Sequence, residues 1–312
     1  MEKQFAVDVL EAGIEELSKR YQIPGIGLGI NMNGQRLYDK GFGYRNDKEH
    51  LPVTADTIFG IASMTKSFTC VAIMQLQDAG KLSVHDPVVK YVPEFRLPKP
   101  GKSEAVTIHH LMTHTAGLPP LSIHNHARKR SIEQDPTAKD YGLDVTRISG
   151  EPIDTDMELL ERIADLEVTL LGEPGEQFSY SNESYGILGV VVKRVSGMSY
   201  EDYVIKHILE PLHLKNTFFD IQELDKRDHV TMLYASKKVN GQTEVYPTPL
   251  WWDAPAMRSA GYLKSTVNDI LKYLEIYRLH GKVDGVQILS EESVKQMMTP
   301  HVEVSPGYFY GY

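Results

Sequence analysis

Apolar side chains recur at spacings of three and four near the start of the chain, at Val7, Leu10, Ile14 and Leu17. This period predicts an amphipathic helix over residues 4–20 that is stopped by Pro24. Two strand-like segments, 26–31 and 36–44, then flank Asn33-Gly34, a strong signal for a two-residue hairpin. A helix followed by a hairpin predicts an α+β fold in which the helix lies on the sheet.

Helical periodicity returns in several later segments. The residues after Asp56-Thr57-Ile58-Phe59-Gly60 carry an apolar face and stop at Gly80; that face is formed by Phe68, Val71, Ala72 and Leu76. Further helices are predicted over 157–170 and 187–195, and Thr266 with Asp269 forms a capping pair for a late helix. Residues 122–156 are polar and lack a period, which predicts a functional loop or a mobile insertion.

Composition narrows the class of protein. The 312 residues are 41% hydrophobic and 24% charged, which is ordinary for a globular protein and allows two domains or one core with a large insertion. The formal net charge of −9 opposes non-specific nucleic-acid binding. No apolar run reaches the ~18 residues of a membrane span. The start lacks the apolar stretch of a signal peptide, which predicts a soluble cytoplasmic chain, although one trimmed of a leader would look the same.

The first candidate chemistry is Ser63-Met64-Thr65-Lys66. If a helix starts here, Ser63 sits in its first turn and Lys66 lies one turn later on the same face. A serine needs a base within hydrogen-bond reach, and a lysine in a dry pocket can act as that base. A helix N-terminus also favours a developing oxyanion. Alone, this S-x-x-K motif also fits an exposed cap beside a solvated lysine.

The second candidate is Tyr180-Ser181-Asn182. A tyrosine beside a lysine can serve as general acid or base, and an asparagine two residues on can bind a substrate amide. Alone, the pattern equally fits a packed loop tyrosine followed by a turn asparagine.

Blocks along the chain, in the same order, resemble the class C β-lactamase and D,D-peptidase (penicillin-binding protein) family of serine hydrolases. They are FGIASMTKSFT (59–69), TIHHLMTHTAGL (107–118), EPGEQFSYSN (173–182), YGILG (185–189) and SAGYLKST (259–266). They cover almost the whole chain, so the resemblance is far more specific than either short motif.

The resemblance implies a β-lactamase/transpeptidase-like α+β fold, with an antiparallel sheet flanked by helices and a mainly helical subdomain. The sheet subdomain would comprise 1–60 and 255–312, and the helical one 61–254, with the active site at their junction. Ser63 would be the nucleophile, Lys66 and Tyr180 would shuttle its proton, and Asn182 would orient the substrate. Deacylation would use water activated by Tyr180, and the Ser63 N–H would supply one oxyanion donor.

The family also carries a third motif, Lys-Thr-Gly or His-x-Gly, on a strand that follows the late helix. This sequence reaches Tyr312 without it, and His114-Thr115-Ala116-Gly117 precedes the tyrosine motif and belongs to another block. We therefore expect the C-terminal strands of the fold to be missing. Residues 308–312 would begin a strand with no partner after it. Either another chain covers that edge by self-association, or the terminal residues fold back irregularly and leave the cleft open.

Histidines near the 107–118 block invite a metal site, because His110 and His114 have i, i+4 spacing and three more lie close; these are His109, His124 and His126. No H-E-x-x-H occurs, so we expect no metal and no cofactor. The single cysteine, Cys70, excludes an internal disulfide and is expected to be a buried filler. Trp251 and Trp252 are expected to pack, with a border position on the cleft as the alternative.

The functions that remain are three. The first is an acyl-transferring serine hydrolase acting on β-lactams, D-amino-acid peptides or esters, that is, a β-lactamase, carboxypeptidase or esterase. The second is a non-catalytic penicillin-binding or sensor relative, and the third is a metal-dependent hydrolase using the histidines. The sequence does not choose the substrate, and the partner expected is a small molecule or a peptide.

Overall fold

The computed structural model describes residues 2–98 and 103–312. Its α-helices are α1 (Glu2–Tyr21), α2 (Thr65–Asp78), α3 (Ile108–Met112), α4 (Ile123–Ala127), α5 (Lys129–Gln134), α6 (Asp156–Ala164), α7 (Asn182–Ser196), α8 (Tyr200–Val204), α9 (Val267–Tyr273), α10 (Glu275–Arg278) and α11 (Glu291–Met298). Its strands are β1 (Gly25–Met32), β2 (Gln35–Asn46), β3 (Leu51–Pro52), β4 (Phe59–Gly60), β5 (Leu233–Val239), β6 (Gln242–Thr248), β7 (Lys264–Ser265), β8 (Lys282–Val283), β9 (Val286–Gln287), β10 (Val302–Ser305) and β11 (Tyr308–Tyr310). Helices and antiparallel strands are mixed along the chain.

The predicted first helix and hairpin are present. β1 and β2 pair antiparallel from Gly25 opposite Gly43 to Met32 opposite Gln35, and β3 adds to β2. Asn33 and Gly34 both have positive φ, 52° and 77°, as a type I′ turn requires. Helix α1 is tied to β2 through Glu11, which accepts hydrogen bonds from Tyr38 and Lys40. On β1, α9 packs closely enough that side chains fill the space beside the glycines at 27 and 29.

Helix α2 runs through the hydrophobic core. Ten of its residues are buried, and its neighbours are α7, α8 and the 3₁₀ segment Pro255–Ala260. Two buried threonines fix its position, because Thr65 Oγ1 donates to Ala62 O and Thr69 Oγ1 donates to Ser259 O. The preceding strand β4 pairs with β7, so the start of α2 is held against the segment that precedes α9. Cys70 is fully buried in this core, as expected.

Two helices differ from their predicted bounds by five residues or more. α6 ends at Ala164, so the prediction of helix over 165–170 is wrong; Val168 and Thr169 are β-branched and lower helix propensity there. α7 begins five residues before the predicted start, at Asn182, because Ser181 caps it by accepting the N–H of Ser184.

Sequence reasoning missed two hairpins, the short pair β8–β9 and the longer pair β5–β6. β5 and β6 pair antiparallel from Leu233 opposite Thr248 to Val239 opposite Gln242. Their turn is Asn240-Gly241, both with positive φ, so the same signal that revealed the first hairpin was present here. The segment lies inside the stretch predicted to be mainly helical. The division into two subdomains stays a prediction.

Residues 122–156 are not a featureless loop. They hold α4, α5 and two 3₁₀ turns, Ala138–Tyr141 and Val145–Arg147. A small apolar cluster of Ile132, Ala138 and Ile148, with Trp252 packed on it, fixes this segment against the 250–260 region.

The strand predicted near Tyr312 is present as β11, and its partner is β10, which precedes it. The terminal residues therefore return as a paired hairpin, not irregularly. Tyr310 and Tyr312 place their hydroxyls against His114 Nε2 and His109 Nδ1, at 3.2 and 2.5 Å. Across residues 2–98 and 103–312, no helix has the length and apolar character needed to cross a bilayer.

Candidate active site

Ser63 lies in a short 3₁₀ turn, Ala62–Met64, that leads directly into α2. The residue before the turn is fixed to the neighbouring segment, because the Ile61 N–H donates to Leu263 O. Ala62 has φ 46°, in the left-handed region that residues with a Cβ rarely adopt, so the backbone beside the serine is strained. Strain of this kind persists where the surrounding structure enforces it, and it often marks functional sites.

Lys66 lies one turn after Ser63 and is only 3% exposed. Its Nζ donates to Ser63 Oγ at 3.2 Å, to Asn182 Oδ1 at 2.8 Å and to Ala260 O at 2.6 Å. Within the described ranges no carboxylate forms an ion pair with it. Burial lowers the pKa of Lys66 to about 8, against smaller opposing effects of Cys70 and Glu183. A tenth or so of such a lysine is neutral at pH 7, which makes it available as a base.

Tyr180 completes the contact to the serine. Its Oη lies 2.7 Å from Ser63 Oγ, and its ring lies 4.9 Å from the Lys66 ammonium. The side chain is 42% exposed, so the phenol faces both the serine and the open cleft. The predicted residues therefore form one hydrogen-bonded chain, in which Tyr180 contacts Ser63, Ser63 contacts Lys66, and Lys66 contacts Asn182.

His114 supports Tyr180 from behind, a role that sequence reasoning did not assign. Its Nδ1 accepts the Ser181 N–H at 3.1 Å, which leaves the hydrogen on Nε2, facing Tyr310. The imidazole lies 4.5 Å from the Tyr180 ring. Burial and, to a lesser degree, the charge of Lys66 lower the pKa of His114 to about 3, so the ring is neutral near pH 7.

Glu183 is a second residue that sequence reasoning missed. It is buried in the first turn of α7, directly after the Tyr-Ser-Asn motif, and it accepts the Ser181 Oγ hydrogen at 3.3 Å. Burial raises its pKa, while backbone N–H groups and Lys66 act in the opposite direction. The signal available in the sequence was its position beside Asn182.

Ser63 opens into a cavity of about 250 Å³. Its walls come from the β4 to α2 turn, from residues 124–128 and from residues 251–264, and they include His124, Arg128, Asn182, Trp251, Trp252 and Tyr262. His124 Nε2 and Tyr262 Oη are 2.6 Å apart and join two of these walls. A larger groove of about 950 Å³ around His207 and Leu289 lies away from Ser63. Both tryptophans line the cavity, and both also pack on small apolar clusters as expected, Trp251 on that of Ile58 and Trp252 on that of Ile132.

The histidines that suggested a metal are spread over several places, although the rings of His109 and His110 lie 5.8 Å apart. His124 faces the cavity, His114 lies under Tyr180, and His109 contacts Tyr312 and the ring of His301. Among residues 2–98 and 103–312, no three histidine, cysteine, aspartate or glutamate side chains form a group that could hold a metal ion.

Residues 10–307 match the sequence profile of the Beta-lactamase family. The octameric penicillin-binding protein homologue from Pyrococcus abyssi superposes with a TM-score of 0.81 at 37% identity, over 98% of this chain and 64% of that chain. A class C beta-lactamase in complex with cefoxitin superposes with a TM-score of 0.73 over 96% of this chain and 72% of its own; at 21% identity it bears on the fold alone. Protein flp of Staphylococcus aureus (strain MW2) is 30% identical over 269 residues, which are 84% of this chain and 47% of that protein.

The chain thus spans about half the length of the curated relative it matches. The β-lactamase/transpeptidase-like fold that the sequence blocks implied is confirmed.

Proposed function

The chain belongs to the beta-lactamase family, and from this premise we propose that it is a serine hydrolase working through an acyl-enzyme on Ser63. The observation that carries the proposal is that Lys66 Nζ and Tyr180 Oη both lie within hydrogen-bond distance of Ser63 Oγ, at 3.2 and 2.7 Å. These are the distances that proton transfer from an attacking hydroxyl requires.

In the acylation step, Ser63 Oγ attacks the substrate carbonyl carbon and its proton passes to neutral Lys66 or through Tyr180. Lys66 suits the role of acceptor because burial lowers its pKa to about 8. The proton then moves to the leaving group by way of Tyr180, whose hydroxyl is open to the cleft. The Ser63 N–H, in the turn that leads into α2, serves as one oxyanion donor, with the helix dipole behind it.

In the deacylation step, Tyr180 activates the water that attacks the acyl-enzyme. Its position supports this role, since Oη is beside Ser63 Oγ and the side chain is 42% exposed. His114 is a positioning residue here, because its ring packs on Tyr180 while its Nδ1 holds the backbone of Ser181. Asn182 Oδ1 accepts a hydrogen bond from Lys66 Nζ, and the Asn182 side chain orients the substrate amide.

The substrates proposed are β-lactams, D-amino-acid peptides and esters. A panel of a chromogenic cephalosporin, a D-alanyl-D-alanine peptide and 4-nitrophenyl esters tests this directly. Turnover should be lost in Ser63→Ala and kept in Ser67→Ala, a matched serine one turn later that donates to Met64 O and accepts from Tyr273. Covalent labelling of Ser63 without turnover would favour a penicillin-binding or sensor relative. Turnover that survives in Ser63→Ala would refute the serine mechanism.

Self-association belongs to the same proposal. It is supported by the octameric state of the Pyrococcus abyssi homologue, which is 37% identical to this chain. Light scattering on the eluting peak of a size-exclusion column tests it, and a purely monomeric mass over the working concentration range would refute it.

A further inference from the structure

Arg128 is a half-buried cation in the wall of the Ser63 cavity. Its Nε and Nη2 donate to Asn125 Oδ1 at 3.2 and 2.7 Å, and its guanidinium lies 5.2 Å from the Trp252 ring. Within the described part of the chain it has no carboxylate partner, and Nη1 makes no hydrogen bond yet is not sealed from solvent. One edge of the guanidinium is therefore held in place while the other is left to bind something else.

A neighbouring arginine shows the usual arrangement for comparison. Arg258, also half-buried, donates to Asp253 at 2.5 Å and to Glu201 at 3.3 Å. Burying a guanidinium without such a partner is unfavourable, and burial lowers the pKa of Arg128 while the bonds to Asp253 raise that of Arg258. The carboxylate nearest in sequence to the cavity tryptophans, Asp253, is thus already engaged.

The cavity as a whole carries positive charge. Among the described residues that line it there is no aspartate or glutamate, whereas Arg128 contributes to its wall and Lys66 contacts Ser63 at its floor. The chain has a formal net charge of −9, so this cleft is opposite in sign to the molecule. A cleft of one sign with apolar walls, here Trp251 and Trp252, concentrates ligands of the other sign.

We propose that Arg128 is a specificity-determining residue that binds a carboxylate of the substrate, so that the site prefers carboxylate-bearing acyl donors over neutral ones of the same shape. The proposal rests on the proposed function and names its substrate class. The planar fork of a guanidinium matches a carboxylate, and the bond is strongest where water is partly excluded. Trp252 and Asn125 fix the plane and one edge of the fork before substrate arrives, which reduces the entropy lost on binding.

The test compares matched esters on each variant. One pair is 4-nitrophenyl hexanoate and mono-4-nitrophenyl adipate, which puts the carboxylate on the acyl group. The other pair is phenyl phenylacetate and 3-carboxyphenyl phenylacetate, which puts it on the leaving group. The readout is the ratio of kcat/KM for the charged ester to that for the neutral one. This ratio cancels a general loss of activity within a variant.

Arg128→Gln should lower that ratio by about 10-fold or more in one pair, the scale of a hydrogen bond to a charged group. Arg128→Lys keeps the charge and should recover part of the wild-type ratio. The matched control is Arg130→Gln, which removes the same charge two residues later; its side chain is 63% exposed and pairs with Asp154. That variant should leave both ratios unchanged. Ratios that stay at the wild-type value in Arg128→Gln for both pairs would overturn the proposal.

A binding measurement separates this inference from the proposed function. The two tryptophans of the chain, Trp251 and Trp252, both line the cavity, so intrinsic tryptophan fluorescence reports on it without any turnover. Titration with phenylacetate should give saturable quenching about 10-fold tighter than with phenylacetamide, and Arg128→Gln should remove the difference. If the esters are not hydrolysed but phenylacetate binds selectively, the proposed function fails and the carboxylate site stands. Equal affinity of wild type for both ligands would refute the site even if esters are turned over.

Discussion

Replacing Lys66 with methionine should change how the stability of the protein depends on pH. Burial lowers the pKa of Lys66 from 10.5 to about 8 in the folded state. Below pH 8 both the folded and the unfolded state hold this proton. Between pH 8 and 10.5 the folded state has released it while the unfolded state retains it, so the unfolded state binds more protons and stability rises with pH.

The size of the effect follows from the shift. A difference of 10.5 − 8 = 2.5 pKa units corresponds to about 3.4 kcal/mol in total, at about 1.36 kcal/mol per unit. About 2 kcal/mol of this rise falls between pH 7 and pH 9.5. A methionine does not titrate. Over this interval the free energy of unfolding should therefore increase by about 2 kcal/mol more in wild type than in Lys66→Met.

Urea unfolding at pH 7 and pH 9.5, with linear extrapolation to zero denaturant, measures this difference. Lys264, whose pKa burial also lowers to about 8, is present in both proteins and cancels. The matched control is Lys272→Met, at a lysine whose side chain is 54% exposed. The free energy of unfolding of this variant should change between the two pH values by the same amount as that of wild type. Parallel curves for wild type and Lys66→Met would show that Lys66 keeps an ordinary pKa, and the reasoning that makes it a base would fail.

Further outcomes follow from the same site. For a neutral ester, kcat/KM should rise about tenfold per pH unit below an apparent pKa near 8 and level off above it, as Lys66 becomes neutral; a pH–rate profile flat from pH 6 to 9 would contradict this. Tyr180→Phe should lower kcat by about 10²–10⁴-fold with little change in thermal stability, since the hydroxyl is at the cleft; steady-state kinetics and calorimetry test both parts. The pKa of His114 is about 3 in the folded state against 6.5 in the unfolded state, so the unfolded state takes up the proton first as the pH falls. Between pH 7 and 4.5 the free energy of unfolding of wild type should therefore fall about 2.5 kcal/mol more than that of His114→Gln. Equal losses in urea titrations would refute the buried neutral imidazole.

Local patterns predicted the elements that place the nucleophile. The period of α2 and the Asn33-Gly34 turn are properties of short segments, and both were found where predicted. The Asn240-Gly241 hairpin carried the same signal and was overlooked. The prediction of helix over 165–170 was wrong because it used the apolar period alone and ignored Val168 and Thr169, which are β-branched and favour extended backbone.

Local sequence patterns could not predict the contacts across the site. Ser63 and Tyr180 are 117 positions apart, and only the ordered family blocks linked them. Arg128 reached the cavity through packing on Trp252, in a segment without any period. Its place depends on tertiary contacts that no short window of sequence contains.

The central claim is that Ser63 is the nucleophile, and covalent labelling with a fluorophosphonate tests it most directly. Intact mass should show one adduct on the folded protein, and peptide mapping should locate it on Ser63. Ser63→Ala should take no adduct, whereas Ser67→Ala, four residues later in the first turn of α2, should be labelled like wild type. An unlabelled wild type that unfolds cooperatively, or labelling of Ser63→Ala at the wild-type rate, would contradict the account.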